Sequence, residues 1–277
     1  MRKDTSANTL HIWTSRTGCH TIESAMKAEL GANNWSSDLP NMIDNWRSVE
    51  DIKDLPENDM WKFAFVRNPW DREYSVYSHV QKTIANTTNT LTDEQKDVAG
   101  GVTFDEWLTF KYSSDIDTPL ISGVERVADA EKFAWANHKG TQTGQIYYAN
   151  GSLGVNEVCY YEDFVNEWNT KIASVKGYTA NVESITKYAS GVYKANTDYR
   201  NVYSEAGKQL ISNYYADDIA NFGYNYNDGP NVKPTVTIPA TIDVSTVTSG
   251  TRFANNHYAN VDVISLLGDI TSANLHS

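Results

Sequence analysis

The chain has 277 residues, 40% of them apolar, and a formal net charge of −12. That apolar content suffices for one large core, or for a main domain with an appendage, while the acidity argues against general nucleic-acid binding, in which Lys and Arg neutralise phosphates. No window approaches the roughly 20 apolar residues of a membrane span, Met1 to Leu10 holds no apolar leader, and Cys19 and Cys159 make neither a disulfide framework nor a metal site, so a cytoplasmic, metal-free protein is expected.

In chain order, Leu10-His11-Ile12-Trp13 reads as a buried strand, followed by a polar loop. A helix is expected from about Thr21, because Ile22, Ala25, Met26, Glu29 and Leu30 keep helical spacing and Gly31 suits the stop. The loop Thr14-Ser15-Arg16-Thr17-Gly18-Cys19-His20-Thr21 offers amides and hydroxyls at a helix N-terminus around one cation. That combination binds a phosphate, since the first amides of a helix lack partners and its dipole is positive there. It is not a Walker A loop, because GxxxxGK[ST] is absent. Taken alone, a strand, a one-glycine loop and a helix also make an ordinary turn of any α/β protein.

The same logic recurs at Trp61-Lys62-Phe63-Ala64-Phe65-Val66, an apolar run typical of a strand inside a parallel sheet. It ends in Arg67-Asn68-Pro69-Trp70-Asp71-Arg72, where Pro69 suits the first helical turn and Asn68 its N-cap. Arg67 then stands at a strand's carboxyl end and Ser75 about two turns into the next helix, placed to converge on a phosphate separate from the first. The other reading of Arg67 is an ion pair with Asp71 or another carboxylate. Two strand-to-helix units imply an α/β sheet with ligands at the carboxyl ends of its strands.

Ile84 to Gly101 is Thr- and Asn-rich and reads as a solvated insertion; Phe104, Trp107, Leu108 and Phe110 suggest a short amphipathic helix. Glu157 to Tyr161 reads as a strand leading into a helix through Phe164, Val165 and Trp168, and a single helix is expected from about Ser204 to Phe222. After Tyr226 the composition shifts: three of the seven prolines, no Glu, and alternation of Thr with Val or Ile. The expected organisation is a main domain over residues 1–226 and a β-rich or irregular appendage over residues 227–277, a candidate for docking or oligomerisation.

The stretch Phe63 to Tyr77 resembles the 3′-phosphate-binding segment of sulfotransferases that use 3′-phosphoadenosine 5′-phosphosulfate (PAPS), in particular the carbohydrate sulfotransferase group with its RNPWDRxxSxY-like string. Arg16-Thr17-Gly18-Cys19-His20 is similar to that family's 5′-phosphosulfate loop, usually K-x-G-[ST]-[ST]. His138 with Gln142, Val158 to Phe164, Asn196-Thr197 with Tyr199-Arg200, and Tyr214 to Tyr224 are similar to its later segments, so the resemblance spans about residues 8–226. It departs where Arg16 stands for Lys and where Cys19 and His20 replace a hydroxyl pair.

The resemblance implies a P-loop-like parallel sheet flanked by helices and in-line sulfuryl transfer from PAPS to a hydroxyl acceptor, most plainly a glycan, with 3′,5′-bisphosphoadenosine as product. It assigns the donor to Arg16, Thr17, Gly18, Cys19, His20, Thr21, Arg67, Ser75 and Arg200, with Arg16 on the leaving group. The proton acceptor is chosen from His20 and Glu23, beside the loop, and from Glu50, Asp51, Asp44 and His138. Two competing readings are a catalytically degenerate glycan-binding or structural module and a P-loop nucleotide kinase; the missing Lys-[Ser/Thr] pair speaks against the kinase.

Overall fold

Residue alternation along the strands decides the architecture. In the computed structural model, which describes residues 1–30, 35–36, 48–85, 103–112, 140–185 and 198–241, Leu10 and Ile12 face one core cluster together with Ala64 and Val66, while Phe63, Phe65 and Cys159 face the other. Two apolar faces on one sheet require helices on both sides.

Among the described residues the sheet has the order β3-β1-β2-β4-β5. Its strands are β1 (Arg2–Asp4), β2 (Thr9–Ile12), β3 (Trp35–Ser36), β4 (Trp61–Val66) and β5 (Glu157–Tyr160). β2, β4 and β5 run parallel, with His11 opposite Phe63 and Phe65 opposite Cys159. This is the expected parallel sheet, extended by an antiparallel edge of β1 and β3. The polar Arg-Lys-Asp of β1 gave no strand signal; the turn after it does the work. There Asp4 accepts from the Ser6 amide at 2.8 Å, the Ser6 hydroxyl at 2.6 Å and the Ala7 amide at 3.0 Å.

Helix α1 (Cys19–Leu30) follows β2, and α2 (Pro69–Ala85) follows β4. Asn68 caps α2 as its sequence suggests: its side-chain oxygen accepts from the Trp70 amide at 3.1 Å and the Asp71 amide at 3.5 Å. Next come α3 (Phe104–Tyr112) and the short α4 (Gln142–Ile146). After β5, α5 (Phe164–Glu167) continues as a π-helical turn, Trp168–Ala173, into α6 (Ser174–Lys176).

The single helix expected over 204–222 is two, α7 (Glu205–Tyr214) and α8 (Ala216–Phe222). Tyr215 leaves the helical conformation at φ −107° and ψ 30°. Tertiary contacts draw it out: its hydroxyl shares a 2.6 Å hydrogen bond with that of Tyr112, and the Arg72 guanidinium lies 4.7 Å over its ring. The break lets Asp218, fully buried, accept from the Gln142 amide at 2.9 Å and the Thr143 amide at 2.7 Å.

The Tyr112 hydroxyl also donates to Glu73 at 2.6 Å. Lys111 grips the same carboxylate at 2.7 and 2.9 Å, and both side chains are almost wholly buried. The chain from Lys111 through Glu73, Tyr112 and Tyr215 to Arg72 ties α2, α3 and the α7–α8 junction into one unit. Residues 227–241, at the start of the expected appendage, make contacts with earlier parts of the chain: the Leu153 amide donates to Ala240 at 2.7 Å and the Tyr147 hydroxyl to Pro239 at 2.9 Å. Its one described sheet contact is an isolated bridge between Ser152 and Thr241. Among the described residues no helix is long and apolar enough to cross a membrane.

Removing one partner of a buried ion pair leaves the other charge uncompensated. Lys111→Met should therefore destabilise the fold by about 3–5 kcal/mol, read from urea unfolding, whereas Lys53→Met, in an exposed pair with Glu50, should leave the unfolding midpoint nearly unchanged.

Candidate functional site

Because β2 and β4 are parallel neighbours, the loops leaving their carboxyl ends emerge side by side, which is where α/β sheets hold ligands. Thr14 ties the first loop to the end of β4 by donating its hydroxyl to the Phe65 carbonyl. Past it, Arg16 adopts a left-handed backbone at φ 63° and Gly18 follows at φ 87°. A β-carbon at Gly18 would lie 2.6 Å from the Phe164 ring, so conformation and space both demand glycine there. The Gly18 carbonyl accepts from the Thr21 and Ile22 amides at 2.9 and 3.1 Å, which starts α1 at Cys19, two residues earlier than its apolar spacing suggests.

Left-handed backbone at a non-glycine residue is strained and must be held from outside. Arg67 supplies the hold: its Nη1 donates to the Arg16 carbonyl at 2.9 Å. Its Nε and Nη2 each reach Asp71 at 2.7 Å, and its guanidinium lies 4.3 Å over the Tyr161 ring. Of the two sequence readings of Arg67, the ion pair with Asp71 is the one observed. Burial opposes its charge, yet Asp71 together with Tyr161 and Glu162 outweighs burial and the guanidinium pKa is raised. Gln142 fixes the backbone beneath it, accepting from the Arg67 amide at 2.7 Å and donating to the Arg67 carbonyl at 2.9 Å.

The Arg16 side chain points to α2, where its Nε donates to the Ser75 hydroxyl at 3.2 Å. Arg16, Arg67 and Ser75 thus form one continuous cluster rather than two separated phosphate sites. Other loop hydroxyls turn inward: Thr17 donates to the Thr14 carbonyl at 2.8 Å, as does the buried Cys19 thiol at 2.8 Å. Burial pushes that thiol up to about 11, so it is inert as a nucleophile. Thr21 is buried in the first turn of α1. Ser15, four residues before that helix, is buried and its hydroxyl has no hydrogen-bond partner among the described residues.

His20 is exposed, its ring edge-on to Trp13 at 5.2 Å and its Nδ1 3.6 Å from the Glu23 carboxylate. Glu23 also meets Lys27 at 2.7 Å and Arg2 at 3.4 Å. Burial alone would raise its pKa, but His20, Lys27 and Arg2 draw it down to about 2. A carboxylate held that low is a weak proton acceptor. Glu50 accepts from Lys53 three residues on and from the distant Ala149 amide, while Asp51 accepts from Ser48 and closes a local turn. Asp44 and His138 lie outside the described residues. Arg200 is not brought to the cluster; it forks onto Asp198 at 3.0 and 2.5 Å and donates to the Asn227 carbonyl at 2.9 Å. Its neighbour Tyr199 does reach the site, accepting from Asn68 at 3.2 Å.

Sequence reasoning passed over His79, one helical turn beyond Ser75; the i, i+4 spacing on α2 is the signal that finds it. Behind the cluster, Glu162 accepts from the Asn68 amide at 2.7 Å and from the Tyr224 hydroxyl at 3.2 Å. Among the described residues no group of three or more His, Cys, Asp or Glu is arranged to hold a metal ion.

Residues 10–225 match the family model described as the sulfotransferase family. Comparison with curated proteins and with solved structures gave no match.

Burial pushes the Glu162 carboxyl up to about 7 against the pull of the Asn68 amide and Arg67. Because the folded value lies above the unfolded one, its contribution to stability is complete below about pH 4.5 and disappears as pH rises through 7. The difference in unfolding free energy between the native protein and Glu162→Gln, which keeps the shape and the acceptor, should shift in favour of the variant as pH rises from 5 to 8; chemical denaturation of both proteins across that window checks it, and a pH-independent difference would contradict it.

Proposed function

The chain belongs to the sulfotransferase family, and from that premise we propose that it binds PAPS on the 14–21 loop and transfers the sulfuryl group to a hydroxyl acceptor, a carbohydrate. The observation that carries the reading is the left-handed Arg16 held by Arg67 at its carbonyl and by Ser75 at its side chain. The acceptor class rests on the resemblance of the Arg67 to Tyr77 string to carbohydrate sulfotransferases.

The residues present fit such a donor. Ser15 offers a buried hydroxyl in need of a partner, the first amides of α1 face the same way as the helix dipole, and no acidic residue stands in that helix's first turn. PAPS supplies an activated sulfuryl group on a mixed phosphate–sulfate anhydride. Arg16 stabilises negative charge that builds on the leaving phosphate, from a position already fixed by Ser75. Gly18 lets the loop close on the anion, while Thr17, Cys19 and Thr21 hold its shape from inside. Arg67 acts through the backbone it holds.

At the acceptor side, His20 takes the proton of the attacking hydroxyl. Glu23 is a positioning residue that faces Nδ1 and leaves Nε2 toward the acceptor, the division of labour usual for a histidine base. Arg200 serves the 3′-phosphate by exchanging Asp198 for it, a cheap exchange because exposed ion pairs contribute little.

Incubating the protein with isotopically labelled PAPS and a panel of glycans, lipids and small alcohols should add a sulfate to a glycan, read by mass spectrometry. Nucleotide binding with no sulfate transferred to any acceptor would favour the degenerate glycan-binding module. Arg16→Ala should lower kcat about 10²–10³-fold, the scale for losing one charge-stabilising donor; a change confined to acceptor KM would count against its leaving-group role.

A further inference from the structure

On β2, the middle strand of the sheet, sits a titratable group with no part in the proposed chemistry. His11 is wholly buried, and neither of its ring nitrogens has a hydrogen-bond partner among the described residues. Strand register sets its surroundings, with Arg2 of β1 opposite on one side and Phe63 of β4 on the other. The ring stacks on Phe63 with centroids 4.9 Å apart and planes 21° from parallel, and Trp13 lies 6.3 Å away. The charged groups that act on it are the Met1 amino group and Arg2 on the β1 side and Glu23 on α1. Two cations thus oppose one carboxylate, which is itself shared with Arg2, Lys27 and His20. Aromatic faces attract a cation but offer weak acceptance to N–H, and an imidazolium carries two N–H donors.

We propose that His11 makes the sheet an acid-sensitive switch: the closed fold accepts only the neutral ring, and protonation favours an open form in which the 14–21 loop loses its support. A neutral imidazole in this position leaves one donor and one acceptor unmatched, and an imidazolium adds a buried charge without a paired acceptor. Closed strands therefore keep the proton off, and burial holds the ring well below the ordinary histidine pKa. Once the strands part, water solvates the ring and it takes up a proton near its unfolded value of about 6.5. Opening binds a proton from solvent, so the stability that depends on a neutral His11 is complete above about pH 6.5 and is lost as pH falls below it. The loop feels the change because the β2–β4 pairing that encloses His11 also sets the two strand ends side by side. Thr14, three residues beyond His11, is anchored there to the Phe65 carbonyl.

Replacing His11 by Leu removes the titration and keeps a similar volume. Relative to His11→Leu, the unfolding equilibrium constant of the native protein should rise by up to about tenfold for each pH unit below 6.5, read from urea unfolding of both proteins. A ratio that stays constant with pH overturns the switch. Ring hydrogen–deuterium exchange at the histidine Cε1, followed by mass spectrometry, gives the same answer in the native protein without a variant. His11 should exchange slowly and show no midpoint between about pH 5 and pH 8, and a midpoint near the unfolded value of about 6.5 overturns the proposal. The buried Cys19 thiol reports on the loop. Its labelling by dithiodipyridine, normalised to the urea-unfolded protein, should accelerate on acidification in the native protein relative to His11→Leu; equal rates in the two proteins overturn the coupling to the loop. Since no nucleotide enters these measurements, the donor reading is tested separately.

Discussion

The hydrogen bond from Arg67 Nη1 to the carbonyl of Arg16 is the contact on which the site depends. A left-handed arginine costs on the order of 1–3 kcal/mol, and without a fixed donor at its carbonyl the loop has cheaper conformations available. Arg67 can serve because everything beneath it is fixed. Asp71, one turn along α2, takes its Nε and Nη2; Gln142 takes its backbone amide and carbonyl; Asp218 in turn takes the Gln142 amide. Apart from the Arg67–Asp71 pair, each step joins segments distant in sequence, so the loop geometry depends on the assembled fold.

This arrangement is what would let a chain with a net charge of −12 hold the proposed anionic donor. Its carboxylates near the site are spoken for: Asp71 by Arg67, Glu23 by Arg2 and Lys27, Glu162 by the Asn68 amide. What remains facing the loop is Arg16 and the amides of α1. The field is local, short in range and shielded from the acidic exterior, which suits a small bis-anionic donor far better than a polyanionic chain.

Much of the frame was legible because its causes are local. The apolar runs at 10–13 and 61–66 became β2 and β4, and the Asn68-Pro69 pair marked the start of α2 by capping chemistry that needs no tertiary partner. What escaped depended on distant contacts. The polar Arg2 to Asp4 strand exists through its pairing with β2 and the Asp4-centred turn. The break at Tyr215 is imposed by Tyr112 and Arg72, and the inward turn of Cys19 by the Thr14 carbonyl. Arg200 carries its competitor, Asp198, only two residues upstream, and that pair looked like nothing in the sequence. The Asp71 pair at Arg67 is an i, i+4 contact that the fold forms.

The most direct measurement is a crystal structure with 3′,5′-bisphosphoadenosine bound. The account predicts a terminal phosphate seated on the first amides of α1 with Arg16 and the Ser15 hydroxyl against it, Arg16 still left-handed and its carbonyl still bonded to Arg67. A nucleotide bound away from this loop, or a loop that has relaxed to release Arg67, would contradict it.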